Sequence, residues 1–245
     1  MKKMRELKTV LLVVLIISFN NINSQNKMVE SHQMSNYEKT ISNEQHQIKL
    51  KKGELFLVIS SITKADAQEE MNNYFKKVFP IASKHGFKPL ANLPIDKVVT
   101  GKYMPNNFFG LYTWPNQKAV ESFLSELPNS ELTPMRLKIW EKLKQVMTVV
   151  KAATTLTFYE GKIYEILTLW NEKQLNPKKI EKLNGKIIYS SPVSGYEDLT
   201  GGKSPKQIAI IEWSSENEAK AYKHNNYTRN IVESFYTHIQ IPEKN

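Results

Sequence analysis

The chain has 245 residues, 40% of them hydrophobic and 24% charged, with a formal net charge of +10 and no cysteine. That length and apolar share suit one large domain or two small ones around a packed core. The missing cysteine excludes disulfides, thiolate metal sites, a thiol nucleophile and an acyl-cysteine lipid anchor. The basic residues are scattered, as at Lys49, Lys51 and Lys52, Lys76 and Lys77, or Lys178 and Lys179, so no nucleic-acid partner is expected.

The chain opens with the basic stretch MKKMRELK and the eleven-residue apolar run Thr9–Phe19, followed by the small and polar residues NNINSQ. A helix that short cannot cross a hydrocarbon layer of about 30 Å. Residues 1–24 therefore read as a secretory signal peptide cleaved after Ser24. The mature chain, at about +7, is expected to be exported, periplasmic or extracellular, with no stable membrane span. Residues 25–52 are polar and without sustained periodicity, which predicts a flexible leader.

From Glu54 the pattern changes. ELFLVISSI predicts a buried strand. Asp66 is placed to cap a helix over AQEEMNNYFKKVFPIASKHG, with Met71, Tyr74, Phe75, Val78 and Phe79 on its apolar face, a kink at Pro80 and an end at Gly86. FKPLANLPIDKVVTG predicts an extended edge segment, NFFGLYTW a strand and NQKAVESFLSEL a helix. An insertion near 128–147 carries a predicted helix from Pro134 to Met147, and VVKAATTLTFY is expected as the fourth strand. This order is that of a ferredoxin-like unit over residues 53–160.

Glu160-Gly161-Lys162 predicts a hairpin turn into the strand KIYEILTLW. A short helix NPKKIEKLNG, the extended KIIYSSPVSGYEDLTGG, the strand KQIAIIEW, the helix SSENEAKAYKH and a last strand IVESFYTHIQI follow. The order of the first unit recurs over 161–245. Anchors recur with it: VVTG at 98–101 and DLTG at 198–201, Pro105 and Pro205, Trp114 and Trp213, Ala119 and Ala219. A Trp at a strand's end facing an Ala lets a helix lie close on a sheet.

At DLTGGKSPKQIAIIEWSSENEAKAY the chain resembles the small dimeric α/β-barrel proteins, in particular an uncharacterised bacterial family labelled a domain of unknown function. Gly201, Pro205, Glu212, Trp213, Ser215 and Ala219 follow that family's pattern, while Ser214 replaces its usual Pro. The resemblance implies an α+β fold of two tandem ferredoxin-like (βαββαβ) units forming an internal pseudo-dimer. It equally allows a homodimer, since in relatives two chains supply the two units.

In such a unit the first and third strands are central neighbours. Alternation puts Ile163, Glu165 and Leu167 on one face, and Ile208, Ile210 and Glu212 on one face of the next strand. If those faces coincide, Glu165 and Glu212 form an acid/base pair between the sheets; otherwise each meets solvent at a strand end. Tyr112, Trp114, Trp170 and Trp213 are the candidate ligand-lining aromatics, and equally candidate core. His85 and His224 follow helices, but the position that haem-degrading relatives would use falls near Ile231 and Val232, so no haem is expected. TGGKS at 200–204 lacks the earlier Gly of a phosphate loop and leads into a strand, so it reads as a turn. No metal-binding or cofactor motif is present. The expectation is a protein binding a small, partly apolar molecule between two sheets. The alternatives are a cofactor-independent oxygenase or isomerase of the same superfamily, and a non-catalytic structural or interaction protein.

Overall fold

A computed structural model describes residues 45–100, 108–170, 175–226 and 232–239, all within the unit Ser42–Ile241. The predicted signal peptide and residues 25–44 of the leader lie outside them. The elements run β1 (Gln45–Leu50), β2 (Leu55–Thr63), α1 (Gln68–Lys84), β3 (Lys88–Thr100), β4 (Phe108–Trp114), α2 (Gln117–Glu126), α3 (Asn129–Ile139), β5 (Trp140–Val149), β6 (Thr154–Tyr159), β7 (Ile163–Leu169), α4 (Pro177–Lys182), β8 (Gly185–Pro192), β9 (Gly195–Asp198), β10 (Gln207–Trp213), α5 (Glu216–Asn226) and β11 (Val232–Thr237). The class is α+β, with antiparallel ladders and few helices.

Nine strands form one sheet in the order β8-β10-β7-β11-β3-β4-β2-β5-β9. Within it β5-β2-β4-β3 and β11-β7-β10-β8 share one pattern: fourth, first, third, second. Two seams join these halves. The long strand β3 pairs with β4 over its first part and with β11 from Ile95 to Thr100. On the other side β8 pairs with β10, and after Val193 and Ser194 the chain pairs again, as β9, with β5. The two ends of the sheet order are thus consecutive strands, and the sheet curls round to meet itself.

Strand alternation divides the core. From β2, Phe56 and Val58 join an inner cluster with Leu93, Phe109, Tyr164, Ile166, Ile208, Ile210 and Phe235. The alternate residues Leu55 and Leu57 face α1 and α2 with Tyr74, Val78, Trp114 and Phe123. In the second half Leu167, Ile211 and Trp213 face α4 and α5 with Ile180, Ala219 and Tyr222.

Several expectations are corrected. Gln45–Leu50 is a strand rather than leader. It pairs with β6 as a separate two-stranded sheet, and Ile48, Leu50, Leu156 and Phe158 fill the inner cluster. β6 therefore does not pair with β7, although Lys162 N–H does bond the Tyr159 carbonyl across the expected turn. The inserted helix is Asn129–Ile139, and the fourth strand is Trp140–Val149, earlier than VVKAATTLTFY. Its inward side carries Lys142 and Lys144, whose ammonium groups lie 3.9 and 2.5 Å from the Glu233 carboxylate, and these charges mask the alternation. Asp66 adopts a left-handed φ of 59° and does not cap α1, which begins after Ala67 and runs on through Pro80. Gly86 does end the helix, at φ 87°, beneath Pro115.

The β5–β9 seam is reinforced by Arg136 of α3. Buried, it donates from Nε to the Tyr74 hydroxyl at 3.0 Å and from Nη1 to Glu197 of β9. Gln145 adds a 3.0 Å bond to the same carboxylate. Arg136→Met is expected to cost about 1–3 kcal/mol and to speed hydrogen exchange of the Gly195–Asp198 amides before the rest of the sheet. Urea unfolding and native-state exchange measure both.

Candidate functional site

The expected pairing of Glu165 and Glu212 is not formed. In the β7–β10 ladder Glu165 stands opposite Ile211, and Glu212 opposite Tyr164. The two carboxylates therefore point to opposite faces of the sheet. Glu212 is half-buried on the inner side, with the Tyr164 hydroxyl 3.4 Å away. Glu165 is fully buried on the side covered by α5.

The four aromatic candidates fall in three places. Tyr112 and Trp114 lie under α1 and α2, where Phe87 stacks on Tyr112 with centroids 5.1 Å apart and meets Trp114 at 4.9 Å. Tyr112 lies flat along its own strand over Gly110, where a Cβ would come within 2.4 Å of the ring. Burial pushes the Tyr112 phenol far above its ordinary value. Trp170, just after β7, donates to the Lys203 carbonyl at 2.7 Å and carries the Lys144 ammonium 5.2 Å from its ring centroid. Trp213 lies under α5 and belongs with Glu165.

Around Glu165 a polar group is built inside an apolar layer. Trp213 Nε1 donates to Oε2 at 2.9 Å, and the Ser234 hydroxyl to Oε1 at 2.5 Å. β11 places Tyr236 directly opposite Glu165. Burial raises the Tyr236 phenol well above its usual range, and Glu165 and Glu216 raise it further. Leu167, Ile180, Ile211, Ala219 and Tyr222 complete the layer. The parity of VESFYT, with Ser234 and Tyr236 two apart on one face, was a readable signal for these hydroxyls. The role of Gly185 was not readable: its backbone lies against the Trp213 ring, where a Cβ would come within 2.4 Å.

The other half provides an internal comparison. Trp114 stands opposite Leu55 on β2 as Trp213 stands opposite Ile163 on β7. Counting from these pairs, Leu57 occupies the place of Glu165, and Met147, its partner on β5, the place of Tyr236. The first half is apolar where the second is polar. A surface cleft of about 440 Å³ between α4 and β8, lined by Ile180, Glu181, Gly185 and Ile187 among others, backs onto the Trp213 layer. The space between the sheets, in contrast, is filled by side chains as large as Phe56, Phe109 and Phe158. Among the described residues no group of three or more His, Asp or Glu is placed to hold a metal ion, and no helix is long and apolar enough to cross a membrane.

No family model matches the sequence, and no curated protein matches it. Among solved structures, an anthrone oxidase-like protein is similar at 10% identity, covering 80% of this chain and 94% of that one, with a TM-score of 0.46. A candidate monooxygenase from Lactobacillus acidophilus follows at 9% identity, 77% and 94% coverage and 0.38. A heme-binding protein from Thermus thermophilus stands at 8%, 81% and 94%, and 0.36. The likeness is to a fold. At these scores it carries no functional argument, and the architecture stands on the strand order and registers above.

Proposed function

We propose that the chain is two ferredoxin-like units closed on each other as an internal pseudo-dimer, and that it binds a small, partly apolar molecule on the helix side of its second unit. The shared strand order and the two seams support the first part. The observation that carries the second is the buried Glu165 carboxylate. Removing such a group from water costs several kcal/mol, which bonds from Trp213 and Ser234 only offset, whereas Leu57 fills the matching place without that cost. A buried carboxyl group retained where an apolar side chain would serve is a mark of functional sites. The cleft between α4 and β8, which meets the Trp213 ring through Ile180 and Gly185, has a volume of about 440 Å³, within the range of small-ligand sites. The reading takes the helix side of the second unit rather than the space between the sheets, which Phe56, Phe109 and Phe158 fill. Export after removal of residues 1–24 belongs to the same proposal.

Native mass spectrometry of the full chain, purified without refolding, tests the reading. One adduct per chain is expected, because only the second half carries the polar group, and Glu165→Gln should abolish it. A bare wild-type chain overturns the proposal. A second reading, a cofactor-independent oxygenase or isomerase, takes Glu165 as the proton acceptor and Tyr236 as the facing proton donor. Its support is their direct pairing across β7 and β11. Turnover of quinol or lactone substrates that disappears in Glu165→Gln would favour it over binding alone.

A further inference from the structure

Lys144 and Glu233 hold the same place in the two halves. The facing pair Leu57 and Met147 on β2 and β5 corresponds to Glu165 and Tyr236 on β7 and β11. Three residues along each ladder, Ser60 faces Lys144 and Thr168 faces Glu233. Both charged side chains point inward. Two positions further on, Val146 and Phe235 also correspond, and both belong to the inner cluster. Yet Lys144 and Glu233 touch each other: the ammonium lies 2.5 Å from the carboxylate, with side chains only 8% and 16% exposed. A residue that meets its own counterpart lies on the two-fold axis relating the halves. The two sides of that axis differ in charge. The first half adds Lys142, 3.9 Å from the same carboxylate. The second adds Trp170, whose ring takes the Lys144 ammonium 5.2 Å from its centroid, where the first half has Ile62.

We infer that the Lys144–Glu233 pair selects the partner of each half: a first unit accepts a second unit and rejects a copy of itself, and a second unit does the reverse. This rests on the internal closure of the two units proposed above. Where identical units pair across a two-fold axis, the residue on the axis faces itself. Two first units would bring two Lys144 ammonium groups together, and two second units two Glu233 carboxylates. So little exposure leaves little water or salt to screen that repulsion, and like charges forced together at an interface exclude the wrong partner. The surrounding cluster makes no such distinction. Phe56, Val58 and Val146 of the first half and Tyr164, Ile166 and Phe235 of the second are all large and mostly apolar, and apolar burial is non-directional. Stability is a separate matter, because desolvation offsets most of the attraction and two apolar side chains would fill the place as well.

Four full-length variants are compared with the wild type by melting curves and native mass spectrometry: Lys144→Glu, Glu233→Lys, the reversed pair Lys144→Glu/Glu233→Lys, and the apolar pair Lys144→Met/Glu233→Met. The wild type should be a monomer. Each single change should lower the melting temperature by about 5–10 °C, and the reversed pair should recover most of that loss as a monomer. The two single variants complement each other between chains, since each supplies the charge the other has lost. Co-expressed, they should form a one-to-one dimer by exchange of halves, melting above either alone, a readout that holds even if neither is soluble by itself. The apolar pair should melt within about 3 °C of the wild type yet spread over monomers and dimers. Co-expressed single variants that do not combine, or an apolar pair that stays wholly monomeric, would reduce the ion pair to a stabilising contact and overturn the inference. A reversed pair that melts as low as the single variants overturns it too. A dimeric wild type overturns the internal closure itself, and the selection with it.

Discussion

Glu165→Ala should destabilise the protein by about 3–5 kcal/mol. Trp213 Nε1 and the Ser234 hydroxyl both end on this carboxylate, at 2.9 and 2.5 Å, and both residues have no solvent exposure. Removing the acceptor strands two donors that water cannot reach, each worth about 1–3 kcal/mol, and leaves a gap beside Leu167 and Ile211. Glu165→Gln is much milder, at about 1–2 kcal/mol. Its amide oxygen still accepts from the indole, and the Ser234 hydroxyl can turn to accept from the amide nitrogen. Urea unfolding should show a lower midpoint at an unchanged slope for both variants. An alanine variant within about 1 kcal/mol of wild type would mean that these donors are not buried against Glu165.

Gly185→Ala should cost about 3 kcal/mol for a single methyl group. The new Cβ would lie 2.4 Å from Trp213 Cζ3, 2.6 Å from Cε3 and 2.8 Å from Ile180 Cγ2. The indole has nowhere to go. Its nitrogen is tied to Glu165, and Tyr222 covers it with centroids 5.6 Å apart. The strain therefore passes to the carboxylate, and the variant should also lose any bound adduct because the back wall of the cleft moves. A double-mutant cycle isolates the cause. In a Trp213→Phe background, where the ring is smaller, the same Gly185→Ala change should cost less than about 1 kcal/mol. Full additivity of the two changes would show that the clash is relieved elsewhere.

Much of the second half was legible in the sequence. β7 and β10 are largely apolar on both faces, and α4 and α5 stand between clear turn signals, so period and punctuation agree. β5 was not legible, because two inward positions hold Lys142 and Lys144, and their partner Glu233 lies on a strand almost ninety residues later. β1 was missed because QHQIKL has only two apolar residues, although both are buried at alternate positions. The carboxylate pair failed for a different reason. Alternation within each strand was read correctly, but it cannot say which parity of β10 meets which parity of β7. Register decides that, and it puts Ile211, not Ile210, across from Glu165. Trp213 was read as ligand lining or core packing, and its bond to Glu165 was not foreseen, since nothing near it in the chain shows where its indole N–H ends.

The pairing of β1 with β6 sets an order of folding events. Gln45 meets Tyr159, so a segment made early must wait for one made about a hundred residues later, and this ladder adds long-range contacts that slow closure. Leu156 and Phe158 have no exposure once it forms. Until then the inner cluster stays wet at the end where they belong, leaving an intermediate with apolar surface open to other chains. A product processed beyond Gln45 would remain in that state for good.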